Sequence, residues 1–300
     1  MKNIFIINPI AGKKDVTNIV TESLEKYKDK LDYEIYVTKG VGDATNFVRN
    51  YCENNNEEIR FYSCGGDGTL NEIINGVINY PNVSVACFPS GSGNDFIKVF
   101  GKRDDFLNID NLINGQVNPV DVIKMNDKYT INICNFGLDA VIGEKMTLFK
   151  NKPFVSGKGA YVLSLIYNFF GKMRYECTVK VDGELFHDGP MILCALANGI
   201  CYGGGYYCAP IAKVDDGLID ICLVKKISRF KFISLIGVYK KGKHLKDKRL
   251  KNIIKYIKGK NIEITSNVDL AYTLDGEIGK AKTISVSIVE KAINFVVPSV

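Results

Sequence analysis

No stretch of this 300-residue chain is apolar enough to cross a bilayer. The most apolar-leaning run, Ala160 to Phe170, includes Ser164 and Asn168, whereas a spanning helix needs about 20 apolar residues. At the start, Lys2 is followed only by Ile4 to Ile7 before Asn8-Pro9, too short for a signal-peptide core. The nine cysteines are odd in number, irregularly spaced and without a C-x-x-C pair, which argues against a disulfide framework and a zinc cluster alike. A cytoplasmic location is therefore expected. Cys87, Cys134, Cys194 and Cys222 stand in apolar runs and read as core fillers. Only two histidines occur, and His187 and His244, flanking strand-like and basic segments, read as surface residues rather than ligands. There is no internal repeat, low-complexity tract or long linker.

What is present is 46% hydrophobic content with mean hydropathy near zero, the balance of a soluble globular chain of two domains. The net charge of +6 is local. Between Lys225 and Lys260 stand fourteen Lys or Arg and one acid, Asp247, so the remainder carries 25 basic and 32 acidic groups. Such a block implies a particular anionic surface as partner.

The first part alternates strand and helix. Strands are expected at Asn3–Ile7, Tyr33–Thr38, Ile59–Cys64 and Val83–Pro89. Val16 to Tyr27, Ala44 to Cys52 and Thr69 to Asn79 carry apolar residues at helical spacing. This pattern predicts a parallel sheet covered on both faces, with ligands at the carboxyl ends of the strands. Those ends carry Asn8–Gly12, Thr38–Gly42, Gly65–Thr69 and Gly91–Asp95. After about Asp121 the pattern becomes hairpin-like, with Val120–Met125 and Tyr129–Phe136 around Asn126-Asp127, and Tyr175–Val181 and Glu184–His187 around Asp182-Gly183. Further strands are expected at Met191–Ala197, Leu218–Val224, Ile262–Ser266, Asp269–Leu274 and Thr283–Val289, with helices near Ala160–Phe170 and Ser228–Tyr239. The expectation is a nucleotide-binding α/β domain over 1–122 and an antiparallel β-sandwich over 123–290. A final strand over 291–300 could return to the first domain.

Cys64-Gly65-Gly66-Asp67-Gly68-Thr69-Leu70-Asn71-Glu72 is the most informative segment. Its glycines stand at a strand-to-helix turn, where backbone N–H groups and a helix N-terminus suit phosphate. It lacks the Gly-Lys-Ser/Thr ending of a Walker loop, so a lysine-based phosphate grip is absent. Asp67 and Asp95 against a triphosphate make sense with Mg²⁺ and its water shell between them.

Together with Asn8-Pro9-Ile10-Ala11-Gly12 and Gly91-Ser92-Gly93-Asn94-Asp95, this segment resembles the diacylglycerol kinase catalytic family, related also to sphingosine and ceramide kinases. The resemblance continues through Gly203–Gly205, Ala209-Pro210, Asp215–Asp220 and Leu274–Glu277, covering nearly the whole chain. It implies a Rossmann-like first domain of NAD-kinase type. It implies ATP contacts from Asn8, Pro9, Ile10, Ala11, Gly12, Thr38, Gly65 to Glu72, Ser92, Asn94 and Asp95. It implies Mg²⁺ on Asp216 with the carbonyls of Lys213 and Leu218, and Glu277 as general base for a lipid hydroxyl. From the residues alone, Val214–Gly217 reads equally as a tight turn, and Glu277 as a solvated hairpin acid. Asp67 is a second candidate for the base. The base role requires the lipid to enter a cleft between the domains. Tyr202, Tyr206 and Tyr207 fit core packing or cleft lining equally. Ala11 stands where serine is frequent in the family, and Ser92-Gly93 where threonine is common, which bears on nucleotide affinity and acceptor choice.

Arg229, Lys231, Lys240, Lys241 and Lys243, interleaved with apolar residues, are expected to dock the protein peripherally on an anionic membrane, the inner face in this case, with nucleic acid the poorer alternative. A homodimer is compatible with a sequence that specifies no oligomeric state. The expected activity is phosphorylation of diacylglycerol to phosphatidic acid. The rivals are a kinase for phosphatidylglycerol or a sphingoid base, more remotely an NAD kinase, and a non-catalytic nucleotide- or lipid-binding module.

Overall fold

The computed structural model describes residues 1–12, 14–143, 171 and 173–299. The chain divides into two compact units, Met1–Val122 with Val214–Asp216 and Val289–Val300, and Ile123–Lys213 with Gly217–Ile288.

In the first unit, β1 (Lys2–Ile7), β2 (Tyr33–Val37), β3 (Ile59–Gly65) and β4 (Val83–Pro89) alternate with α1 (Thr17–Leu24), α2 (Asp43–Asn54) and α3 (Asp67–Val77). The end of β13 (Glu277–Val297) completes a sheet of order β13-β4-β3-β1-β2 in which all pairs are parallel. Every residue of β3 and β4 is buried, the condition under which a strand reads as an unbroken apolar run. Arg60 is the exception in chemistry. Its guanidinium donates to Ser84 Oγ (3.3 Å) and to the carbonyls of Leu112 (3.1 Å) and Ile113 (2.7 Å), tying β3 to α4 (Ile109–Ile113). A buried cation without such partners would cost several kcal/mol, on the order of the penalty for an unpaired interior charge.

The second unit is an antiparallel β-sandwich, with β5 (Gln116–Met125) entering it through a hairpin to β6 (Lys128–Thr130). Its main order is β11 (Ile254–Gly259), β10 (Ile219–Lys225), β9 (Glu184–Ala197), β7 (Ile133–Gly137), β12 (Asn261–Leu274) and β13, while β8 (Tyr175–Val181) pairs with both β9 and β12. The two long strands change partner along their length. β9 faces β8 up to Met191 and β7 from Leu193, and β12 faces β8 over Ile262–Thr265 and β7 over Tyr272–Leu274. Strands that pass between layers at bends and bulges close a sandwich corner.

Several expectations are corrected here. The breaks expected after His187 and Ser266 are not strand ends. Gly189, at φ +118°, carries β9 through, and a register shift between Thr265 and Leu270 carries β12 through. Likewise Thr283–Val289 and the final strand expected over 291–300 are parts of one strand, β13. Conversely, Tyr129–Phe136 splits at Asn132, whose side chain donates to Cys201 O (3.1 Å). β11 is an edge strand hidden in the basic block, its lysines being the usual guard of an edge. His187 and His244 are buried, not surface residues. His244 Nε2 lies 3.1 Å from Cys208 O, and burial pushes its pKa down to about 4. All nine cysteines are buried and free, as expected of core fillers. The helix expected over Ala160–Phe170 lies outside the described residues, and that near Ser228–Tyr239 is α5 (Arg229–Lys240). Among the described residues no helix is long and apolar enough to cross a membrane.

Candidate active site

Four polar loops of the first unit meet at the carboxyl ends of its strands, and named hydrogen bonds join them. Asn8 Nδ2 donates to Thr69 Oγ1 (3.0 Å), linking the loop after β1 to α3, while Asn8 Oδ1 accepts from Ile10 N (3.2 Å). Gly65 O accepts from Ser90 N (2.9 Å), Gly91 N (3.1 Å) and Asn94 Nδ2 (3.0 Å), fastening the loop after β4 to the glycine turn after β3. Gly12, at φ +79°, lies so close to that loop that a Cβ would stand 2.0 Å from Ser90 O. Neither its backbone conformation nor its space admits a side chain. Gly12→Ala is therefore expected to displace both loops and to cost about 1–3 kcal/mol of stability. Chemical denaturation of parent and variant reads this, and an unmoved midpoint contradicts it.

α3 begins at Asp67, two residues earlier than the periodicity predicts, with extended Gly66 as its N-cap. Asp67 is thus in the first helical turn, and its Oδ1 accepts from Asp95 N (2.6 Å). Its other oxygen lies against Gly93, where a Cβ would stand 2.8 Å from Asp67 Oδ2 and 3.4 Å from Asp95 Oδ2. Asp95, expected to face phosphate, is buried and ion-paired with Lys98, a partner absent from the sequence reading. Leu70 and Asn71 are also buried, so their side chains belong to the interior. The buried oxygens Asn71 Oδ1, Asn94 Oδ1 and Ser90 Oγ, on α3 and the loop after β4, lack hydrogen-bond partners among the described residues. Two carboxylates beside glycine-rich backbone form an oxygen donor set that fits a hard cation.

Glu72, expected at the nucleotide, has its carboxylate at the start of α2. It accepts from Gly42 N (3.0 Å) and Ala44 N (3.3 Å), while Thr45 Oγ1 donates to Glu72 O (2.8 Å). It therefore shapes the Thr38–Gly42 loop, in which Thr38 N donates to Ile7 O (2.8 Å).

In the second unit, Glu277 opens β13 directly after the turn residues Asp275 (φ +43°) and Gly276 (φ +100°). Its side chain is 53% exposed, and its Oε2 pairs with Lys128 Nζ at 2.6 Å. That hydrogen bond raises the lysine's pKa. The turn is anchored by Asp275, whose carboxylate accepts from Thr130 Oγ1, Ile133 N (3.1 Å) and Asn132 N (3.2 Å). Burial pushes Asp275 up to about 6 against those bonds, which pull it down. Lys128 and the anchoring by Asp275 were not legible in sequence: both join positions more than 140 residues apart. Lys213, Asp216 and Leu218 lie in one turn segment with Gly217 at φ +69°. A carboxylate with two main-chain carbonyls is again chemistry that suits a hard cation.

Asp139 is a further group that sequence reading missed. It accepts a hydrogen bond from Tyr202 OH, and burial pushes its pKa up to about 6. Tyr202 and Tyr206 stack at 6.1 Å and pack, half-buried, against the core of the second unit. Folded Asp139 keeps its proton to higher pH than the unfolded chain, so its stabilising contribution is lost as pH rises from about 4 through 6. Asp139→Asn is expected to gain on the order of 2 kcal/mol over the parent between about pH 4 and pH 7. Thermal denaturation at both pH values checks this; an equal difference at each contradicts it.

The basic residues Lys231, Lys240, Lys241 and Lys243 are exposed on and just beyond α5, and Arg229 donates to Gly171 O (2.8 Å).

A parallel α/β unit with glycine-rich loops at its strand ends, joined to an antiparallel sandwich, is the architecture of lipid and NAD kinases. An NAD kinase from Archaeoglobus fulgidus in complex with ATP shares the fold at TM-score 0.53 and 12% identity over 100% of this chain and 94% of that one. A crystal structure of a diacylglycerol kinase from Bacillus anthracis shares it more fully, at TM-score 0.74 and 24% identity over 98% and 96%. Residues 2–125 match the diacylglycerol kinase catalytic domain, and residues 132–297 the YegS C-terminal NAD kinase beta sandwich-like domain. The chain is 30% identical over 279 residues to the diacylglycerol kinase of Staphylococcus saprophyticus, covering 91% of this chain and 88% of that protein. It is 30% identical over 283 residues to the diacylglycerol kinase of Bacillus subtilis, covering 91% and 89%. The chain belongs to the diacylglycerol kinase family and is a lipid kinase.

Proposed function

We propose that the protein transfers the γ-phosphoryl group of ATP to the free hydroxyl of diacylglycerol, giving phosphatidic acid and ADP. The observation that carries this reading is the Gly65 carbonyl accepting three donors from the loop after β4, which fixes a glycine-lined cradle beside Asp67. Main-chain N–H groups there, with Asn8 to Gly12, Thr38, Gly66 to Thr69 and Ser92, receive the phosphates. Glu72 acts through the α2 loop it caps. Glu277 takes the proton as the lipid oxygen bonds to phosphorus and the bond from phosphorus to the ADP oxygen breaks; it must then lie within about 3 Å of that hydroxyl, or one water away. Its pairing with Lys128 keeps the carboxylate in one orientation. Bound Mg²⁺ with its water shell would neutralise phosphate charge beside Asp67 and Asp95, and a separate Mg²⁺ would be held by Asp216 with the carbonyls of Lys213 and Leu218. Asp67 sits within the phosphate cradle, which favours a cation role there and leaves the base to Glu277.

The acceptor is embedded in a membrane, so the enzyme works as a peripheral protein on the cytoplasmic face, docked through Arg229, Lys231, Lys240, Lys241 and Lys243, with lipid and not nucleic acid as partner. Incubation with γ-labelled ATP, Mg²⁺ and a lipid panel, followed by separation of products, tests the reading. Label in phosphatidic acid is expected. Label chiefly in phosphatidylglycerol or a sphingoid base would reassign the acceptor, and label in NAD would reject a lipid acceptor.

A further inference from the structure

α5 carries apolar residues on two faces. Leu235 and Tyr239 are buried, and Phe232 and Val238 pack on the core, which accounts for one face. The other holds Phe230, 86% exposed, and Ile233, 55% exposed, followed along the same stripe by Ser234, Gly237, Lys240 and Lys241. Spacings of three and four residues place these side chains on one side of a helix. A phenylalanine so fully in water forgoes the burial that Phe136 and Tyr239 have in the same unit. Lysines flank it: Lys231 beside it, Lys240 and Lys241 at the far end, and Lys243 just beyond, near the rings of the Tyr202–Tyr206 loop, where Lys240 Nζ lies 5.0 Å from the Tyr206 centroid. The helix belongs to a segment with fourteen basic residues and one acid.

We propose that this side of α5 lies in the interface of an anionic bilayer, with Phe230 and Ile233 inserted at the acyl boundary and Lys231, Lys240, Lys241 and Lys243 on the headgroups. The inference rests on the lipid-kinase reading for its motive, and adds a contact that electrostatics alone does not supply. An apolar tip with cationic flanks suits a bilayer interface, where the ring and the aliphatic side chain leave water while the ammonium groups stay at the headgroups. A nucleic acid would use the lysines but offers nothing to Phe230. The insertion also makes docking resistant to salt, because screening weakens the lysine contribution and leaves apolar burial intact.

The chain contains no tryptophan, so Phe230→Trp creates a sole indole reporter at the proposed depth. Its emission is expected to shift to the blue on phosphatidylglycerol-containing vesicles and to be quenched by brominated acyl chains. The same reporter placed on β9 by Leu185→Trp, at a residue 64% exposed, is expected to do neither. Phe230→Ser combined with Ile233→Ser should weaken vesicle partition about tenfold or more, and the loss should persist in high salt. Unshifted Phe230→Trp emission on vesicles to which the protein cosediments would overturn the proposal, as would an unaltered partition of the double variant. A shift on duplex DNA or RNA and none on vesicles would assign the surface to nucleic acid. Parent enzyme assayed in mixed detergent micelles separates the two readings: lipid phosphorylation there without vesicle insertion refutes only the α5 contact, and insertion without phosphorylation refutes only the kinase assignment.

Discussion

Glu277→Gln is expected to lower kcat for lipid phosphorylation by about 10²–10⁴-fold while leaving ATP affinity intact, the range lost when a positioned general base is removed. The substitution is geometrically mild. Gln keeps the length of the side chain and an oxygen that still accepts from Lys128, so the pair across β6 and β13 is weakened and not broken. An exposed pair of this kind contributes at most about 1 kcal/mol, so stability should hardly move. The turn itself is held by Asp275 through Thr130, Asn132 and Ile133, none of which the change touches. What disappears is the ability to accept a proton. Steady-state kinetics with equilibrium nucleotide binding separates the two quantities. Full turnover in Glu277→Gln would remove this residue from the chemistry and return Asp67 as the candidate base.

The second large effect is at Asp67. Asp67→Ala and Asp67→Asn should each reduce turnover by about 10²–10³-fold or more, the scale on which a preorganised electrostatic group acts in a phosphoryl-transfer site. The pair of variants distinguishes charge from scaffolding. Asn retains an oxygen that can accept from Asp95 N, the bond that joins the loop after β4 to the start of α3. Ala loses it and leaves a part-buried N–H without its acceptor, at a cost of about 1–3 kcal/mol. Asp67→Asn is therefore expected to melt like the parent and yet be inactive, whereas Asp67→Ala should be both less stable and inactive. Parent-like turnover in Asp67→Asn would reduce the residue to a structural link.

The first unit was legible because its strands are buried on both sides. Val83–Pro89 is read from sequence with the bounds the structure has, and Ile59–Cys64 misses only Gly65. An apolar run ending in glycine leaves little choice of element. The start of α3 was misplaced because Gly66 and Gly68 have poor helix propensity, while the helix uses Gly66 as an extended cap and begins at once. In the sandwich, alternation located the strands but not their continuity. Whether polar residues at 187–190 or 266–269 end a strand or merely bend it depends on partners that pass from β8 to β7.

The candidate site was legible wherever chemistry is written in a contiguous motif, as in Gly65–Thr69 or Asp275–Glu277. It was opaque where function depends on a long-range partner. Lys128 holding Glu277 and Tyr202 capping Asp139 leave no local pattern, since each pair is assembled by the fold. Glu72 shows the converse: its place in the motif points to nucleotide, and only the hydrogen bonds to Gly42 and Ala44 reveal that its carboxylate organises the neighbouring loop. The histidines were misjudged for a simpler reason, because an imidazole with one carbonyl partner is readily buried in the neutral form, as His244 is.

Transfer of phosphate from nucleotide to a lipid alcohol is read from its stoichiometry. ADP and lipid-bound phosphate are followed together while diacylglycerol vesicles are added to enzyme, ATP and Mg²⁺. ADP should appear only once lipid is present, with one phosphatidic acid formed for each ADP. ADP released at the same rate without lipid, or no phosphate found in the lipid fraction, would contradict it.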